Sequence, residues 1–160
     1  MKTAVIALGS NLGDCVCNLR RACAHLDGIG RITAKSGVYK TPPVFYEDQP
    51  DFFNAAVCLE TSLPPESLLA ECKRIEGCLG RTPSFRNAPR PADLDIIFYG
   101  AEEISTDILQ VPHRGWAERA FVLTPLLDLL ECGALAGEEF AKVRALLGGK
   151  MRTFDKYCDL

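Results

Sequence analysis

The chain has 160 residues, of which 48% are hydrophobic and 24% are charged, as in an ordinary globular protein and unlike a disordered one. This length predicts a single domain over residues 1–160, because one domain usually takes roughly 100–200 residues. The net charge of −3 and the isoelectric point near 5.4 argue against nucleic acid as the main partner, since duplex-binding proteins are usually basic.

The chain carries no pattern that predicts a membrane partner or secretion. No apolar run approaches the roughly 18 residues that a membrane span needs. The opening apolar run ends at Gly9, although a secretory signal needs about 7–15 apolar residues. The eight cysteines form no CxxC pair, and Cys23, Cys58 and Cys72 fall on apolar positions of predicted elements. We therefore expect reduced thiols and a cytoplasmic protein.

The pattern of apolar residues and turn signals predicts six elements before residue 100. In chain order they are a strand over 3–8, a helix from the capping Asp14 to Asp27-Gly28, strands over 29–40 and 52–61, a helix from Pro64-Pro65 to Gly80, and a strand over 93–99. Loops are predicted over 41–51 and 81–92, because each contains several prolines and no periodicity.

This β-α-β-β-α-β order predicts an α+β sandwich of the ferredoxin-like type, with helices on one face of a mostly antiparallel sheet. Gly100 is expected to begin a turn into a short hairpin partner. A mixed C-terminal extension follows, with short helices expected from about Pro125 and from about Glu138.

Two aspartates alternate with apolar residues in the last predicted strand. Asp93 and Asp95 share one face, whereas Leu94, Ile96 and Phe98 share the other. The carboxylates would lie about 6.6–6.8 Å apart along the strand, and two hard cations about 3.5–4 Å apart would fit between them. A solvated face of an edge strand is the alternative, although aspartate is disfavoured in strands.

The loop before this strand is basic. Arg81, Arg86 and Arg90 occur there without an acid, and the arginine fork matches pairs of phosphate oxygens. Arginines beside paired aspartates suit magnesium with a nucleotide phosphate. The alternative is three solvated arginines that neutralise nearby acids.

Further candidate binding residues lie elsewhere in the sequence, outside the arginine loop and the aspartate strand. His113 lies near Arg114 and Arg119, which makes a phosphate contact plausible. Phe52, Asn54 and Phe121 offer two rings and one amide, the groups needed to stack a flat heterocycle and to bind its edge. No Walker A motif, HExxH or GxSxG sequence is present.

Five ordered motifs resemble 6-hydroxymethyl-7,8-dihydropterin pyrophosphokinase, an enzyme family of folate biosynthesis. They are Gly9-Ser-Asn-Leu-Gly13, Tyr39-Lys-Thr-Pro-Pro43, Asp48-Gln-Pro-Asp-Phe-Phe-Asn-Ala55, Arg90-Pro-Ala-Asp-Leu-Asp95, and Pro112-His113 through Glu118-Arg-Ala-Phe121. The resemblance covers residues 3 to about 130. It implies the ferredoxin-like fold and transfer of pyrophosphate from ATP to the pterin hydroxymethyl group, with AMP released.

The resemblance also implies roles for individual residues and a magnesium cofactor. Two Mg²⁺ ions would be bound by Asp93 and Asp95, which with Arg81 and Arg90 would be the catalytic residues. ATP would be bound by Arg81, Arg86, Arg90, His113 and Arg119. The pterin would be bound by Thr41, Pro42, Pro43, Val44, Phe52, Asn54, Asp95 and Phe121. A monomer with these small-molecule substrates is expected.

The chain departs from the family pattern at three places. Phe52 stands where many members have tyrosine, Asn87 stands where a tryptophan is familiar, and the 81–92 loop is one residue shorter. Two other classes stay open: a catalytically silent pterin or nucleotide sensor on the same fold, and a small ferredoxin-like regulatory module. Neither class needs the paired aspartates beside the arginine loop.

Overall fold

A six-stranded antiparallel sheet organises the molecule, and the computed structural model describes all residues, 1–160. The helices are α1 (Cys15–Asp27), α2 (Pro65–Cys78), α3 (Ala120–Glu131) and α4 (Ala141–Leu147). The strands are β1 (Lys2–Ser10), β2 (Arg31–Lys35), β3 (Gly37–Thr41), β4 (Phe52–Thr61), β5 (Asp93–Tyr99), β6 (Ile104–Ser105), β7 (Gln110–Val111) and β8 (Lys156–Asp159).

The strand order confirms the α+β, ferredoxin-like prediction. The main sheet runs β5-β1-β4-β3-β8, with β2 also paired to β4, and every pairing is antiparallel. The strands predicted over 52–61 and 93–99 have these bounds in the structure. Asp14 caps α1 as expected, since its carboxylate accepts the N–H of Cys17 at 3.2 Å.

Helices cover both faces of the sheet, so the expectation of helices on one face alone is wrong. Helices α1 and α2 bury their apolar stripes on one face, where Leu19, Leu68 and Ile75 are at most 2% exposed. Helices α3 and α4, from the C-terminal extension, cover part of the other face around Leu126 and Leu147. This second layer leaves one end of its sheet face uncovered, and the site described below lies there.

The strand predicted over 29–40 is two strands, separated at Ser36. The buried hydroxyl of Ser36 accepts the N–H of Ala56 at 2.8 Å and donates to the carbonyl of Gly37 at 2.7 Å. The side chain therefore replaces a backbone partner of Ala56 and breaks the regular ladder between β2 and β3.

A bulge in β5 changes which face Phe98 occupies. Val5 pairs with Phe98 and Ile6 with Ile96, so Ile97 is an extra residue in the pairing. After it, Phe98 packs on the α3 face, the face of Asp93 and Asp95, and not with Leu94 and Ile96 as strict alternation predicts.

The C-terminal extension differs most from the prediction. Helix α3 begins at Ala120, five residues before the expected start, because the carbonyl of Arg119 accepts the N–H groups of Val122 and Leu123. Pro125 lies inside the helix. Strand β6 pairs with β7 rather than with β5, and strand β8, which pairs with β3, was not predicted at all.

All eight cysteines are free thiols, and Cys23, Cys58 and Cys72 are buried, as their apolar positions predict. Burial raises the pKa of Cys23 to about 11 and the pKa of both Cys58 and Cys72 to about 12. No helix is both long enough and apolar enough to cross a bilayer.

Candidate active site

A cleft of about 810 Å³ opens at one end of the sheet, beneath the loops 42–51 and 81–92. Thirteen of the fourteen residues predicted for the site line it: Thr41, Pro42, Val44, Phe52, Asn54, Arg81, Arg86, Arg90, Asp93, Asp95, His113, Arg119 and Phe121. Pro43 does not line the cleft, so its predicted contact role has no support in this geometry.

The central strand β1 brings the two halves of the cleft together. Gly9 pairs with Asn54 on one side and with Asp93 on the other. A Cβ atom at position 9 would lie 3.2 Å from the Asn54 Oδ1 atom and 3.9 Å from the Asp93 Cβ atom. Close packing therefore favours the glycine of the first motif, because a side chain there would push the Asn54 Oδ1 atom away by a few tenths of an ångström.

Asp93 and Asp95 lie on the face of β5 that the cleft exposes, but their surroundings differ. Asp93 forms an ion pair with Arg81 at 3.0 Å and lies 3.5 Å from the Arg90 Nε atom. No ion pair reaches Asp95. Burial, followed by the charge of Asp93, raises the pKa of Asp95 from its usual 3.8 to about 7.

A third carboxylate, Glu76 on α2, contacts both the start of β5 and the Arg81 side chain. It is 3% exposed, accepts the N–H of Leu94 at 2.7 Å, and lies 3.2 Å from Arg81 and 3.4 Å from Lys73. Burial raises its pKa despite these contacts. Glu76 thus fixes both the start of β5 and the guanidinium that reaches Asp93.

The cleft is locally basic although the whole protein is acidic. Five cationic side chains line it, against three carboxylates: Lys73, Arg81, Arg86, Arg90 and Arg119 against Glu76, Asp93 and Asp95. Burial, and then the charge of Arg119, lower the pKa of His113, whose buried Nδ1 atom has no hydrogen-bond partner. An anionic ligand would satisfy these groups better than a neutral one.

The flat, apolar part of the cleft lies at the β3–β4 edge. The buried Asn54 amide donates to the Thr41 hydroxyl at 2.6 Å. The guanidinium carbon of Arg90 lies 5.0 Å from the centroid of the Phe52 ring, which is a cation–π contact. Phe121, in the first turn of α3, also lines the cleft. This edge provides aromatic surface, an amide and a hydroxyl within one recess.

One buried asparagine joins the three loops around the cleft. The Asn11 amide donates to the Gln49 side chain at 2.8 Å and to the carbonyl of Pro50 at 3.1 Å, while its oxygen accepts the N–H of Arg90 at 2.9 Å. Gln49 in turn donates to the carbonyl of Asn87 at 3.1 Å. The position of Arg90 therefore depends on the first loop as well as on its own.

Two aromatic contacts close the outer rim. Tyr46 and Phe85 meet edge-to-face with ring centroids 5.2 Å apart, and they join the loops 42–51 and 81–92. The Arg119 guanidinium lies 5.0 Å from the centroid of Phe45. Phe45 and Phe85 are each 58% exposed, so both contacts are peripheral and lie outside the core.

Comparison with known proteins identifies the family. The family model described as "7,8-dihydro-6-hydroxymethylpterin-pyrophosphokinase (HPPK)" matches residues 5–131. The chain belongs to the HPPK family. The resemblance inferred from the five motifs is thereby confirmed, and residues 132–160 lie outside the matched region.

Relatives named 2-amino-4-hydroxy-6-hydroxymethyldihydropteridine pyrophosphokinase occur in bacteria. The protein of Bacillus subtilis is 48% identical over 130 residues, which cover 80% of this chain and 78% of that protein. The protein of Methylorubrum extorquens is 41% identical over 150 residues, 92% of this chain and 94% of that one.

Other relatives are much longer. The mitochondrial folate synthesis bifunctional protein of Pisum sativum is 50% identical over 127 residues, 79% of this chain. This chain spans about a quarter of the length of that protein, since the match covers 25% of it. Among solved structures, Plasmodium falciparum HPPK-DHPS shares the fold with a TM-score of 0.63 at 16% identity, over 79% of this chain and 40% of that one.

Two residues of this HPPK-family site were missed in the sequence. Glu76 follows Cys72 by four residues and so occupies a position on the apolar stripe of α2, which was the available signal. The sequence assigns no role to Asn11 of the first motif, because its hydrogen-bond partners lie at least 38 residues away in the chain.

The donor set fits a divalent cation bound together with phosphate. No cluster of three or more His, Cys, Asp or Glu side chains suits a metal by itself. Asp95 forms no ion pair, and burial, followed by the charge of Asp93, raises its pKa, so a cation bound beside the two carboxylates would stabilise its ionised form. Two protein carboxylates leave coordination positions for phosphate oxygens, which is how Mg²⁺ is commonly bound.

Proposed function

We propose that this protein transfers a pyrophosphoryl group from ATP to the hydroxymethyl oxygen of 6-hydroxymethyl-7,8-dihydropterin and releases AMP. Family membership supports the reaction type. The observation that carries the proposal for this chain is the position of Asp93 and Asp95 between a basic loop and an aromatic recess, within one cleft.

Asp93 and Asp95 would hold two Mg²⁺ ions with ATP. When bound, these ions supply positive charge to the phosphate oxygens at the reacting end of the nucleotide. The neighbouring residues support this role, because Arg81 and Arg90 already contact Asp93 and would offset negative charge beside the carboxylate pair.

Four arginines and one histidine would bind the triphosphate. Arg81 and Arg90 line the cleft and contact Asp93. Phosphate oxygens could replace part of these contacts, and each guanidinium would still have an anionic partner. Arg86 and Arg119 form no ion pair with a carboxylate, so both are available to an anion. The unpartnered Nδ1 atom of His113 gains a hydrogen-bond partner in the same way.

The pterin would lie in the recess at the β3–β4 edge. Phe52 and Phe121 offer aromatic surfaces, and the Asn54 oxygen remains free while its amide donates to Thr41. The backbone from Thr41 to Val44 runs beside the recess and can bind the edge of the ring. Asp95 lies on the boundary between this recess and the phosphate-binding groups.

In the reaction, the hydroxymethyl oxygen would attack the β-phosphorus of ATP. A new bond forms between that oxygen and the β-phosphorus, the bond from the β-phosphorus to the bridging oxygen breaks, and AMP leaves with that oxygen. The hydroxymethyl proton passes to solvent. The residues of the chain position both substrates in line and offset the charge of the transferred group.

A catalytically silent sensor on the same fold is the main alternative class, and the presence of both Asp93 and Asp95 in the cleft disfavours it. A binder without a cation would gain nothing from two carboxylates whose repulsion and burial are costly. We further propose a monomeric, cytoplasmic enzyme with two small-molecule substrates and no nucleic acid partner. Eight unpaired thiols support the reducing compartment.

The deciding experiment measures the nucleotide product. Purified protein is mixed with ATP, Mg²⁺ and 6-hydroxymethyl-7,8-dihydropterin, and AMP and ADP are separated by chromatography. We expect AMP to appear only when the pterin is present, and Asp95→Asn to abolish it. Pterin-dependent ADP, or equal turnover in Asp95→Asn, would refute the proposal. Asp107→Asn, at an exposed acid in the β6–β7 turn, is the matched control.

A further inference from the structure

A single carboxylate joins three parts of the fold behind the pterin recess. Asp128 on α3 accepts the Tyr39 hydroxyl at 2.6 Å and the Gly37 N–H at 2.9 Å, both from β3. Its other oxygen accepts a hydrogen bond from Arg152 at 2.6 Å. We name Tyr39, Asp128 and Arg152 the distal clamp, since they connect a helix, a strand and the C-terminal segment.

The distal clamp is built from charge-assisted bonds. Burial alone would raise the pKa of Asp128, but the hydrogen bonds from Tyr39 and Arg152 lower it below its usual range. Arg152 is held in addition by two bonds of 2.7 Å to Glu131. Tyr39 is only 2% exposed, so its hydroxyl has little access to water as an alternative partner.

The distal clamp joins the same helix face and sheet face that line the recess. Phe121 precedes Asp128 by seven residues, so both lie on one face of α3 about 10 Å apart along the helix axis. Thr41 follows Tyr39 by two residues and shares its face of β3. Fixing Tyr39 to Asp128 therefore fixes the spacing between Thr41 and Phe121.

Strand β3 is paired on both edges, but its ladder with β8 ends at Tyr39, so only β4 continues to Thr41. Only three residue pairs join it to β4, and they include Tyr39 with Asn54 and Thr41 with Phe52. The Thr41–Asn54 hydrogen bond at 2.6 Å lies at the end of this short ladder. A shift of β3 away from α3 would therefore move the amide and hydroxyl of the recess directly.

We propose that Tyr39, Asp128 and Arg152 are positioning residues for the pterin substrate, acting through the spacing of the recess and not by contact. This inference rests on the proposed function. The proposed ATP-binding residues Arg81, Arg86 and Arg90 belong to a different loop, and only Arg119 lies at the start of α3, so the effect should fall mainly on the pterin. Arg152 lies beyond the family-matched residues 5–131, so the C-terminal segment contributes to substrate binding.

The test compares the same substitution at two buried tyrosines, one in the distal clamp and one away from the cleft. Tyr39→Phe removes the hydroxyl of the distal clamp and keeps the ring. Tyr99→Phe is the matched control, because Tyr99 is 3% exposed and its hydroxyl donates to the carbonyl of Leu63 at 2.5 Å, away from the cleft. Calorimetry gives the Kd of 6-hydroxymethylpterin and, separately, of a non-hydrolysable ATP analogue with Mg²⁺. Thermal denaturation confirms that each variant is folded.

We expect Tyr39→Phe to weaken pterin binding about fivefold, as for one lost hydrogen bond, and to change the Kd of the ATP analogue by a clearly smaller factor. Arg152→Gln should act in the same direction, whereas Tyr99→Phe should change neither constant. Equal pterin affinity in Tyr39→Phe and wild type, or an equal loss of both ligands, would overturn the positioning role. Wild-type protein that fails to bind pterin would instead overturn the proposed function.

Discussion

Replacing Asp95 with asparagine should stabilise the metal-free protein while removing its activity. The pKa of Asp95 is raised from 3.8 to about 7 by burial and by Asp93, so the folded state disfavours the ionised carboxylate. One pKa unit corresponds to about 1.4 kcal/mol, so the full shift would cost about 4 kcal/mol of unfolding free energy at neutral pH. Burial is the larger cause and the charge of Asp93 the smaller one, and because the two carboxyl groups titrate together we expect on the order of 2 kcal/mol for Asp95 alone.

The pH dependence has a definite sign. A carboxyl group with a raised folded-state pKa destabilises the fold as pH rises from about 4, where the unfolded chain ionises, and the penalty is constant above pH 7. The melting temperature of Asp95→Asn should therefore match that of wild type near pH 4 and exceed it by about 4–8 °C at pH 8.

Calorimetric or fluorescence melting in EDTA at a series of pH values is the appropriate assay. Asp107→Asn serves again as the control, and should show no pH-dependent difference from wild type. Added Mg²⁺ with an ATP analogue should narrow the gap between Asp95→Asn and wild type, because only wild type gains the bound cation. Identical melting temperatures at pH 8, or a gap that does not vary with pH, would show that Asp95 is not destabilised in this way.

Three further predictions concern the substrates and the loops. Phe121→Ala should weaken pterin binding measured by calorimetry, whereas Phe52→Tyr should be tolerated; an unchanged Kd in Phe121→Ala would mean that the pterin lies elsewhere. Asn11→Ala removes three hydrogen bonds between loops and should lower the unfolding free energy by about 1–3 kcal/mol, which urea denaturation can check. Residues 81–92 should gain protection from hydrogen exchange when an ATP analogue, Mg²⁺ and pterin are added. Equal protection with and without ligands would identify this loop as a fixed wall.

The elements predicted correctly are those with local signals. Strands β4 and β5 lie between clear turn residues, and helix α1 has a capping aspartate at its start. Strand β8 carries no such signal, because it forms by pairing with β3, more than a hundred residues earlier in the chain. The start of α3 was misplaced because Pro125 resembles a first-turn proline, although here it lies inside the helix.

The same distinction applies to the site. The aspartate pair and the arginine loop are visible in the sequence because their residue types are unusual for a strand and for an acidic protein. Glu76 was not recognised as part of the site, because only the folded chain shows that Arg81 and the N–H of Leu94 meet it. Residues whose function depends on distant partners are therefore the ones that a single sequence conceals.

The geometry of β1 explains how the proposed pterin-binding residues and the proposed metal ligands come together in this fold. Gly9 lies between Asn54 and Asp93 in the sheet, and neighbouring strands are about 4.8 Å apart. The amide proposed to bind the pterin and the first proposed metal ligand are therefore fixed about 10 Å apart across one residue without a side chain. Ala7, two residues earlier on the same strand, pairs with Asp95 and carries only a methyl side chain. A rigid central strand with small residues thus holds both sets of groups at a separation that flexible loops alone could not maintain.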